Sequence, residues 1–196
     1  MTVDIVDFAV APTDIDGLLV VTPKQVTDER GTIRELFRRS AFEAAGVTLA
    51  PFGQINVTET RLGAVRGLHA EAMTKLVSVA AGTAFGAYVD LRAGSPSRGV
   101  TVTIDLRAGV QVLVPAGVAN GFQATSDGCQ YVYCFDAEWQ PGMAGQACNP
   151  LDAGIDWPLA IDPDDTAQIS SKDRSAPSLA TVLATVSTTG SPEEEQ

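Results

Sequence analysis

Short apolar segments recur along this chain, each ended by glycine or proline, and they constrain the fold more than any other feature. The clearest segment runs from Val100 to Leu106 and alternates apolar with polar side chains, the pattern of a half-buried β-strand. Similar segments recur at intervals of roughly 8–12 residues. They lie at residues 18–22, 57–61, 75–82, 83–92, 110–114 and 130–135. This spacing predicts an all-β sandwich or barrel.

Helical signals are scarce. The segment from Ser40 to Gly46 begins with a residue suited to capping a helix and ends with glycine, so it predicts one short helix. The end of the chain is rich in serine, threonine, alanine and proline, and it carries three consecutive glutamates. We expect a single domain over residues 1–178, followed by a flexible acidic tail at residues 179–196.

The acidity of the chain excludes several kinds of partner. Its 196 residues include 13 Lys+Arg against 24 Asp+Glu, a formal net charge of −11. Nucleic acids and anionic membranes both require basic surfaces, so neither is expected as a partner. A single histidine and three cysteines cannot form a histidine-rich metal site, so no metal is expected.

The expected location is the cytoplasm. The N-terminus lacks the pattern of a signal peptide, and no run approaches the ~18 apolar residues of a transmembrane helix. The cysteines are odd in number and lack a C-x-x-C spacing, so we expect reduced thiols rather than disulfides.

Several side chains that can carry chemistry lie within one stretch, from Gln54 to Lys75. On one face of a strand, Gln54 and Asn56 present paired donors and acceptors to a ligand with polar edges. The planar guanidinium of Arg66 suits a phosphate group. As the only histidine, His69 can take a proton near neutral pH, and Lys75 can stabilise a developing oxyanion.

Six blocks of the sequence resemble, in the same order, the dTDP-4-dehydrorhamnose 3,5-epimerase family. The resemblance extends from about residue 17 to about residue 178. The blocks are Asp28–Phe37, Arg66–His69, Tyr88–Pro96, Val114–Phe122, Asp156–Pro158 and Ser171–Asp173. The resemblance implies a cupin-like β-jelly roll with a few short peripheral helices, normally a homodimer, without metal or cofactor.

The resemblance also implies a reaction. The substrate is a nucleotide-linked 4-keto-6-deoxyhexose of the dTDP-4-dehydro-6-deoxyglucose type, whose C4 ketone acidifies the protons on C3 and C5. A base removes one proton, an enolate forms, and an acid returns a proton to the opposite face. By position, His69 matches the base and Asp173 the carboxylate that orients it. Lys75 matches the cation near the C4 oxygen, and Tyr133 matches the acid.

Substrate-binding residues are assigned through the same resemblance. Arg66 matches the main diphosphate clamp, and Arg30 matches an arginine that reaches the nucleotide from the partner subunit. The other expected substrate contacts are Glu35, Gln54, Asn56, Asn120 and Trp139.

Three departures from the family pattern affect specificity. The loop between His69 and Lys75 is shorter than the family's, Asn120 replaces a histidine, and Trp139 replaces a tyrosine. Asparagine cannot carry a proton near neutral pH, and tryptophan stacks but has no phenol. The identity of the sugar, and whether C3, C5 or both are epimerised, therefore remain open.

Each assignment also has a structural alternative. A lone histidine is more often structural than catalytic, and Arg30 or Arg66 alone would be a surface cation. Tyr133 alone would be a packed strand aromatic, and Asp173 alone a cap or turn residue. Elsewhere, we expect a structural ion pair between Asp90 and Arg92 and turn geometry at Gly117 and Gly121.

Three rival activities complete the hypotheses. The first is a mono-epimerase of antibiotic-sugar biosynthesis, which the short loop and Trp139 would suit. A 3,4-ketoisomerase on a related jelly roll is less favoured. The third is a non-catalytic cupin that binds a nucleotide sugar, against which the joint presence of His69, Lys75, Tyr133 and Asp173 argues.

Overall fold

The computed structural model describes residues 3–185, most of which form antiparallel strands and their connections. The strands are β1 (Asp4–Val6), β2 (Ala9–Pro12), β3 (Leu19–Thr22), β4 (Gln25–Asp28), β5 (Gly31–Arg34), β6 (Gln54–Thr60), β7 (Val65–Glu71), β8 (Lys75–Ala81), β9 (Thr83–Asp90), β10 (Thr101–Arg107), β11 (Gln111–Val114), β12 (Val118–Ala124), β13 (Cys129–Phe135) and β14 (Gly145–Ala147). The helices are α1 (Arg39–Ala44), α2 (Ser171–Arg174) and α3 (Leu179–Thr185), with a 3-10 turn at Pro150–Asp152.

The strands assemble into three sheets. The five-stranded sheet has the order β10-β9-β12-β7-β14, and the six-stranded sheet has the order β2-β3-β11-β8-β13-β6. A smaller sheet, β1-β4-β5, lies apart from these two. All strand pairs in the described residues are antiparallel. The expected all-β jelly roll with a few short peripheral helices is confirmed.

The main core lies between the two larger sheets. Val77 and Tyr131 enter it from the six-stranded sheet, while Tyr88 and Phe122 enter it from the five-stranded sheet. The rings of Phe122 and Tyr131 stack across the interface, with centroids 3.9 Å apart. This contact joins β12 to β13, the two strands that flank the site described below.

The outer faces of both sheets are covered as well. Phe42 of α1 packs on the six-stranded sheet, and Val182 of α3 packs with Leu68 and Val89 on the five-stranded sheet. The first residues of the predicted tail therefore form a helix that contacts the core. The remainder of that tail, residues 186–196, lies outside the described residues.

The predicted helix at residues 40–46 corresponds to α1, but its predicted cap is wrong. The N-cap position is Arg38, which makes no side-chain capping bond, so Ser40 lies inside the helix. The three cysteines are unpaired. In residues 3–185, no helix is both long enough and apolar enough to cross a membrane.

The ion pair between Asp90 and Arg92 is confirmed. Asp90 is fully buried, and its Oδ2 lies 2.7 Å from Nη2 of Arg92. Burial raises the pKa of the Asp90 carboxyl, but hydrogen bonds from Arg92, Ser95 and Ser97 hold it far below its usual range. The carboxylate therefore stays charged and ties the end of β9 to the loop that follows.

The three tyrosines of the chain yield a prediction about alkaline stability. Tyr88, Tyr131 and Tyr133 all lie in or against the main core, and burial raises the pKa of each phenol above the ordinary 10.0. Because the folded-state pKa is raised, the associated stability is complete below pH 10 and is lost as the pH rises further. Ultraviolet titration should show little tyrosinate at pH 10, then a steep rise together with loss of circular dichroism. A gradual titration centred near pH 10 in the folded protein would contradict this burial.

Candidate active site

A β-bulge in β7 determines which side chains enter the space between the sheets. His69 of β7 pairs with Asn120 of β12, whereas Arg66 pairs with Phe122. Two residues of β7 therefore face the single residue Gly121 on β12. In a regular strand, residues three apart point to opposite faces. The extra residue brings Arg66 and His69 to the same inward face.

Glycines on both strands allow the bulge to form. A Cβ on Gly67 would lie 2.6 Å from Cα of Gly121, and a Cβ on Gly121 would lie 2.8 Å from the carbonyl oxygen of Arg66. Gly67 also has a φ of +110°, which disfavours residues with a side chain. The predicted turn geometry of Gly121 is wrong, because the residue lies within β12. Gly117, with a φ of +81°, is a turn glycine as expected.

His69 is paired with a buried carboxylate. Its Nε2 lies 2.6 Å from Oδ1 of Asp173, although 104 positions separate the two residues in the chain. Asp173 is held in the single turn of α2, where its backbone N–H donates to the hydroxyl of the N-cap residue Ser170. This arrangement orients the imidazole and leaves Nδ1 as the nitrogen available to a substrate.

Asp173 is held as an anion beside the imidazole. Burial raises the pKa of the Asp173 carboxyl, but the opposing effects are larger in sum. They are the hydrogen bond and charge of His69, the hydrogen bond with Ser170, and the backbone N–H of Gly67, which together lower that pKa below its usual value. A fixed negative charge at this position stabilises the protonated form of the histidine.

Tyr133 faces His69 from the opposite sheet. His69 projects from β7 of the five-stranded sheet, Tyr133 projects from β13 of the six-stranded sheet, and both line a first cavity of about 400 Å³. Burial raises the pKa of the Tyr133 phenol well above its usual value; nearby Tyr131 adds to the shift and the charge of Arg66 opposes it. The phenol therefore keeps its proton near neutral pH and can donate it.

Lys75 is a buried cation with two contacts on β7. Its side chain is only 4% exposed, and its Nζ donates to the backbone carbonyl of His69 at 3.2 Å and to the carboxylate of Glu71. Burial lowers the pKa of the ammonium group, while the charge and hydrogen bond of Glu71 oppose the shift. Sequence reasoning missed Glu71, although its position two residues after His69 places both on one strand face.

A second cavity of about 180 Å³ joins these groups. Most of the predicted site residues line the first or second cavity: Asn56, Arg66, His69, Lys75, Asn120, Tyr133, Trp139 and Asp173. Asn120 is buried and donates from Nδ2 to the Tyr131 hydroxyl at 3.2 Å, which anchors its amide to the core.

Asn56 and Trp139 line one edge of the second cavity, and Gln54 bonds to both of them. Gln54 accepts a 2.7 Å hydrogen bond from the backbone N–H of Trp139 and donates from Nε2 to Oδ1 of Asn56. The predicted common face of Gln54 and Asn56 is confirmed by their pairing with Phe135 and Tyr133, which share the inward face of β13. The indole of Trp139 is half exposed at the entrance, where a flat ring can reach it.

Two cations border the first cavity, and sequence reasoning identified only one of them. Arg66 donates from Nε to Oγ1 of Thr60 at 3.0 Å, which positions the guanidinium while using one of its five N–H donors. Lys172, exposed on α2, lines both the first cavity and a third cavity of about 470 Å³ that also reaches His69. Its position directly before Asp173 was the available signal.

Arg30 and Glu35 lie away from these three cavities. The side chain of Arg30 is 83% exposed and bonds to Asp28 at 2.6 Å, and Glu35 bonds to Arg38 at 2.5 Å. Neither residue lines a cavity next to His69 in the described part of this chain. Within a single chain, the structure therefore does not bring these two predicted contacts to the site.

The arrangement suits proton transfer next to a carbonyl group. It provides an oriented base, a protonated phenol on the opposite sheet, and a buried cation that lines the second cavity with both of them. In residues 3–185, no group of three or more histidine, cysteine, aspartate or glutamate side chains is arranged to hold a metal ion.

Known proteins with similar sequences are sugar-nucleotide epimerases. The family model described as dTDP-4-dehydrorhamnose 3,5-epimerase matches residues 12–181. The dTDP-4-dehydrorhamnose 3,5-epimerase of Salmonella typhimurium is 33% identical over 183 residues, which cover 90% of this chain and 98% of that protein. The dTDP-4-dehydro-6-deoxyglucose 3-epimerase of Streptomyces bikiniensis is 32% identical over 178 residues, which cover 87% and 88% of the two chains.

The similarity extends to solved structures. The dTDP-6-deoxy-D-glucose-3,5-epimerase from Legionella pneumophila Philadelphia 1, solved in complex with dTDP-4-keto-L-rhamnose, aligns with a TM-score of 0.81 and 34% identity. The alignment covers 92% of this chain and 97% of that one. The shared fold thus includes nearly the whole of both chains.

The close approach at the bulge yields a stability prediction. Gly67→Ala should lower the free energy of unfolding by roughly 3 kcal/mol or more, because its Cβ meets backbone atoms that cannot move aside. Gly63→Ala is the matched control, since Gly63 has a φ of +80° but nothing within 4 Å of the added Cβ. It should cost about 1 kcal/mol, the penalty for the backbone conformation alone. Urea unfolding measures both values, and equal losses would contradict the proposed role of Gly67.

Proposed function

The chain belongs to the dTDP-4-dehydrorhamnose 3,5-epimerase family, and from this premise we propose that it epimerises a dTDP-linked 4-keto-6-deoxyhexose at C3, C5 or both. The observation that carries this proposal is the placement of His69 and Tyr133 on opposite sheets of one cavity. A sugar ring bound between them presents one face to each residue. Removal of a proton on one side and its return on the other inverts the carbon.

The mechanism follows from the ionisation of these groups. His69 takes the proton from C3 or C5, and the electron pair of the broken C–H bond forms an enolate whose charge lies on the C4 oxygen. The ammonium group of Lys75 stabilises that oxygen. Tyr133 then donates its proton to the carbon from the opposite face, and Asp173 stabilises the protonated histidine. Exchange of protons with solvent restores both groups.

The nucleotide diphosphate binds at the cationic side of the first cavity in this proposal. Arg66 and Lys172 supply positive charge there, although the chain as a whole carries −11. Trp139 offers a flat ring for stacking on a base or sugar, and Asn56 offers polar contacts. The Legionella relative, solved with a dTDP-linked keto sugar, supports this class of ligand.

Mono-epimerisation is the second candidate for this chain. The Streptomyces bikiniensis relative is named a 3-epimerase. Here the connection between β7 and β8 contains only residues 72–74, and the half-exposed Trp139 lies at the entrance of the second cavity. A short loop and a bulky indole change how the sugar can turn to present C3 and C5 in succession. We also propose that the protein is cytoplasmic, a location with which its three unpaired cysteines agree.

Hydrogen exchange tests the proposed reaction directly. In D2O, the protein should incorporate deuterium from solvent into dTDP-4-keto-6-deoxyglucose, at C3 and C5 for a double epimerase and at C3 alone for a mono-epimerase. His69→Asn should lower the exchange rate by about 10²–10⁴-fold, the usual contribution of a general base. NMR measures exchange at each carbon. An unchanged rate in His69→Asn would refute the assigned base, and tight dTDP binding without exchange in the wild type would favour a binding protein.

We also propose that the protein is a homodimer in which Arg30 and Glu35 reach the partner's site. Ile33 of β5 is 72% exposed, and Ile55 on the edge strand β6 is 61% exposed, so both offer apolar surface to a second copy. Arg30 and Glu35 lie close to Ile33 in the sequence. Within its own chain, each forms an ion pair with a neighbouring residue away from the cavities around His69.

Mixing two variants, one impaired in binding and one in catalysis, tests the shared site at a dTDP-sugar concentration too low to saturate Arg30→Ala. Arg30→Ala should weaken dTDP binding, and His69→Asn should block exchange in its own subunit. After the two are unfolded and refolded together, each mixed dimer should contain one site with both His69 and Arg30. The mixture should therefore recover about a quarter of wild-type sites. Recovery of none, or a monomer in sedimentation analysis, would contradict the shared site.

A further inference from the structure

We propose that Glu71 is a positioning residue for the reaction, which acts by holding the ammonium group of Lys75 beside the C4 oxygen of the substrate. The inference rests on the proposed function, because it assumes that Lys75 stabilises the enolate. Neither the sequence pattern nor the named relatives assign a role to this carboxylate. Glu71 lines the second cavity and bonds to the buried Lys75, and this position suggests a role in the reaction.

The contacts of Lys75 show how its ammonium group is held. Both hydrogen bonds described for Nζ end on β7, one at the carbonyl of His69 and one at the carboxylate of Glu71. Lys75 itself lies on β8 of the opposite sheet, paired with Phe135 and Val114. The two contacts therefore draw the lysine across the cavity towards the strand that carries the base. Without Glu71, the flexible side chain would keep only the carbonyl contact.

The charges around Lys75 make Glu71 its principal counter-ion. The other ionisable groups that line the second cavity are Arg66 and His69 from β7 and Tyr133 from β13. None of them carries a negative charge near neutral pH. Asp173 on α2 lies beyond the imidazole and is bonded to His69. Among the described residues lining the second cavity, Glu71 thus supplies the carboxylate.

Loss of this carboxylate has a defined direction. Burial already lowers the pKa of Lys75, and Glu71 opposes that shift, so Glu71→Gln lowers the pKa further. A lysine with a lowered pKa loses its proton at a lower pH, and the neutral amine stabilises an enolate poorly. Because the enolate forms only during the reaction, kcat should fall more than KM changes.

The pH dependence of deuterium exchange tests the inference. In Glu71→Gln, the alkaline limb of the exchange rate should move to lower pH by about one to three units, the usual effect of a neighbouring opposite charge. Glu71→Asp, which keeps the charge, should restore part of the shift. Glu43→Gln, on the exposed face of α1, removes the same charge far from the site and should leave the profile unchanged. An alkaline limb at the wild-type pH in Glu71→Gln would overturn the inference.

A double-mutant cycle separates action through Lys75 from direct contact with the sugar. In a Lys75→Met background, adding Glu71→Gln should cause no further loss of exchange rate, because the group it positions is already absent. A further tenfold loss would mean that Glu71 acts on the substrate itself and would overturn the positioning role. Absence of exchange in the wild-type protein would instead refute the proposed function on which this inference rests.

Discussion

The β-bulge at Gly67 and Leu68 is the constraint on which the whole site depends. It places Arg66 and His69 on the inward face, while Leu68 and Ala70 turn outward into the apolar cluster that contains Val89 and Val182. A regular strand would send either the proposed phosphate clamp or the proposed base into that outer cluster. The backbone geometry of β7 therefore joins the two ends of the proposed substrate, its diphosphate and its reacting carbons, in one cavity.

The outward face of β7 matters as much as the inward one. Leu68 and Ala70 belong to the same apolar cluster as Val182 of α3, so α3 anchors the segment from α2 to α3 to the five-stranded sheet. That segment carries α2, and α2 delivers Asp173 to the imidazole of His69. The apolar packing that stabilises the fold is thus also what holds the carboxylate and the base together across 104 positions of sequence.

Sequence patterns predicted strands such as β10 and β13, because alternation reports burial one strand at a time, but they missed β7 and β12, the two strands that form the bulge. The common inward face of Tyr131, Tyr133 and Phe135 follows directly from that alternation. Alternation does not report register, so neither the bulge nor its need for Gly121 could be read from it. The contact between His69 and Asp173 was expected only from the family resemblance. Local sequence patterns carry no information on contacts between residues that are far apart along the chain. Glu71 was missed because β7 was not predicted as a strand and because acidic residues usually lie in solvent.

The distribution of charge separates binding from catalysis in the proposed mechanism. At the first cavity, Arg66 and Lys172 present positive charge that a diphosphate meets in the ground state. In the second cavity, Lys75 is already balanced by Glu71, so a neutral sugar ketone gains little from it on binding. Once the proton leaves carbon, negative charge develops on the C4 oxygen beside an ammonium group that is already in place. Affinity then comes mainly from the nucleotide end and rate acceleration from the sugar end, which is the division that selective stabilisation of a transition state requires.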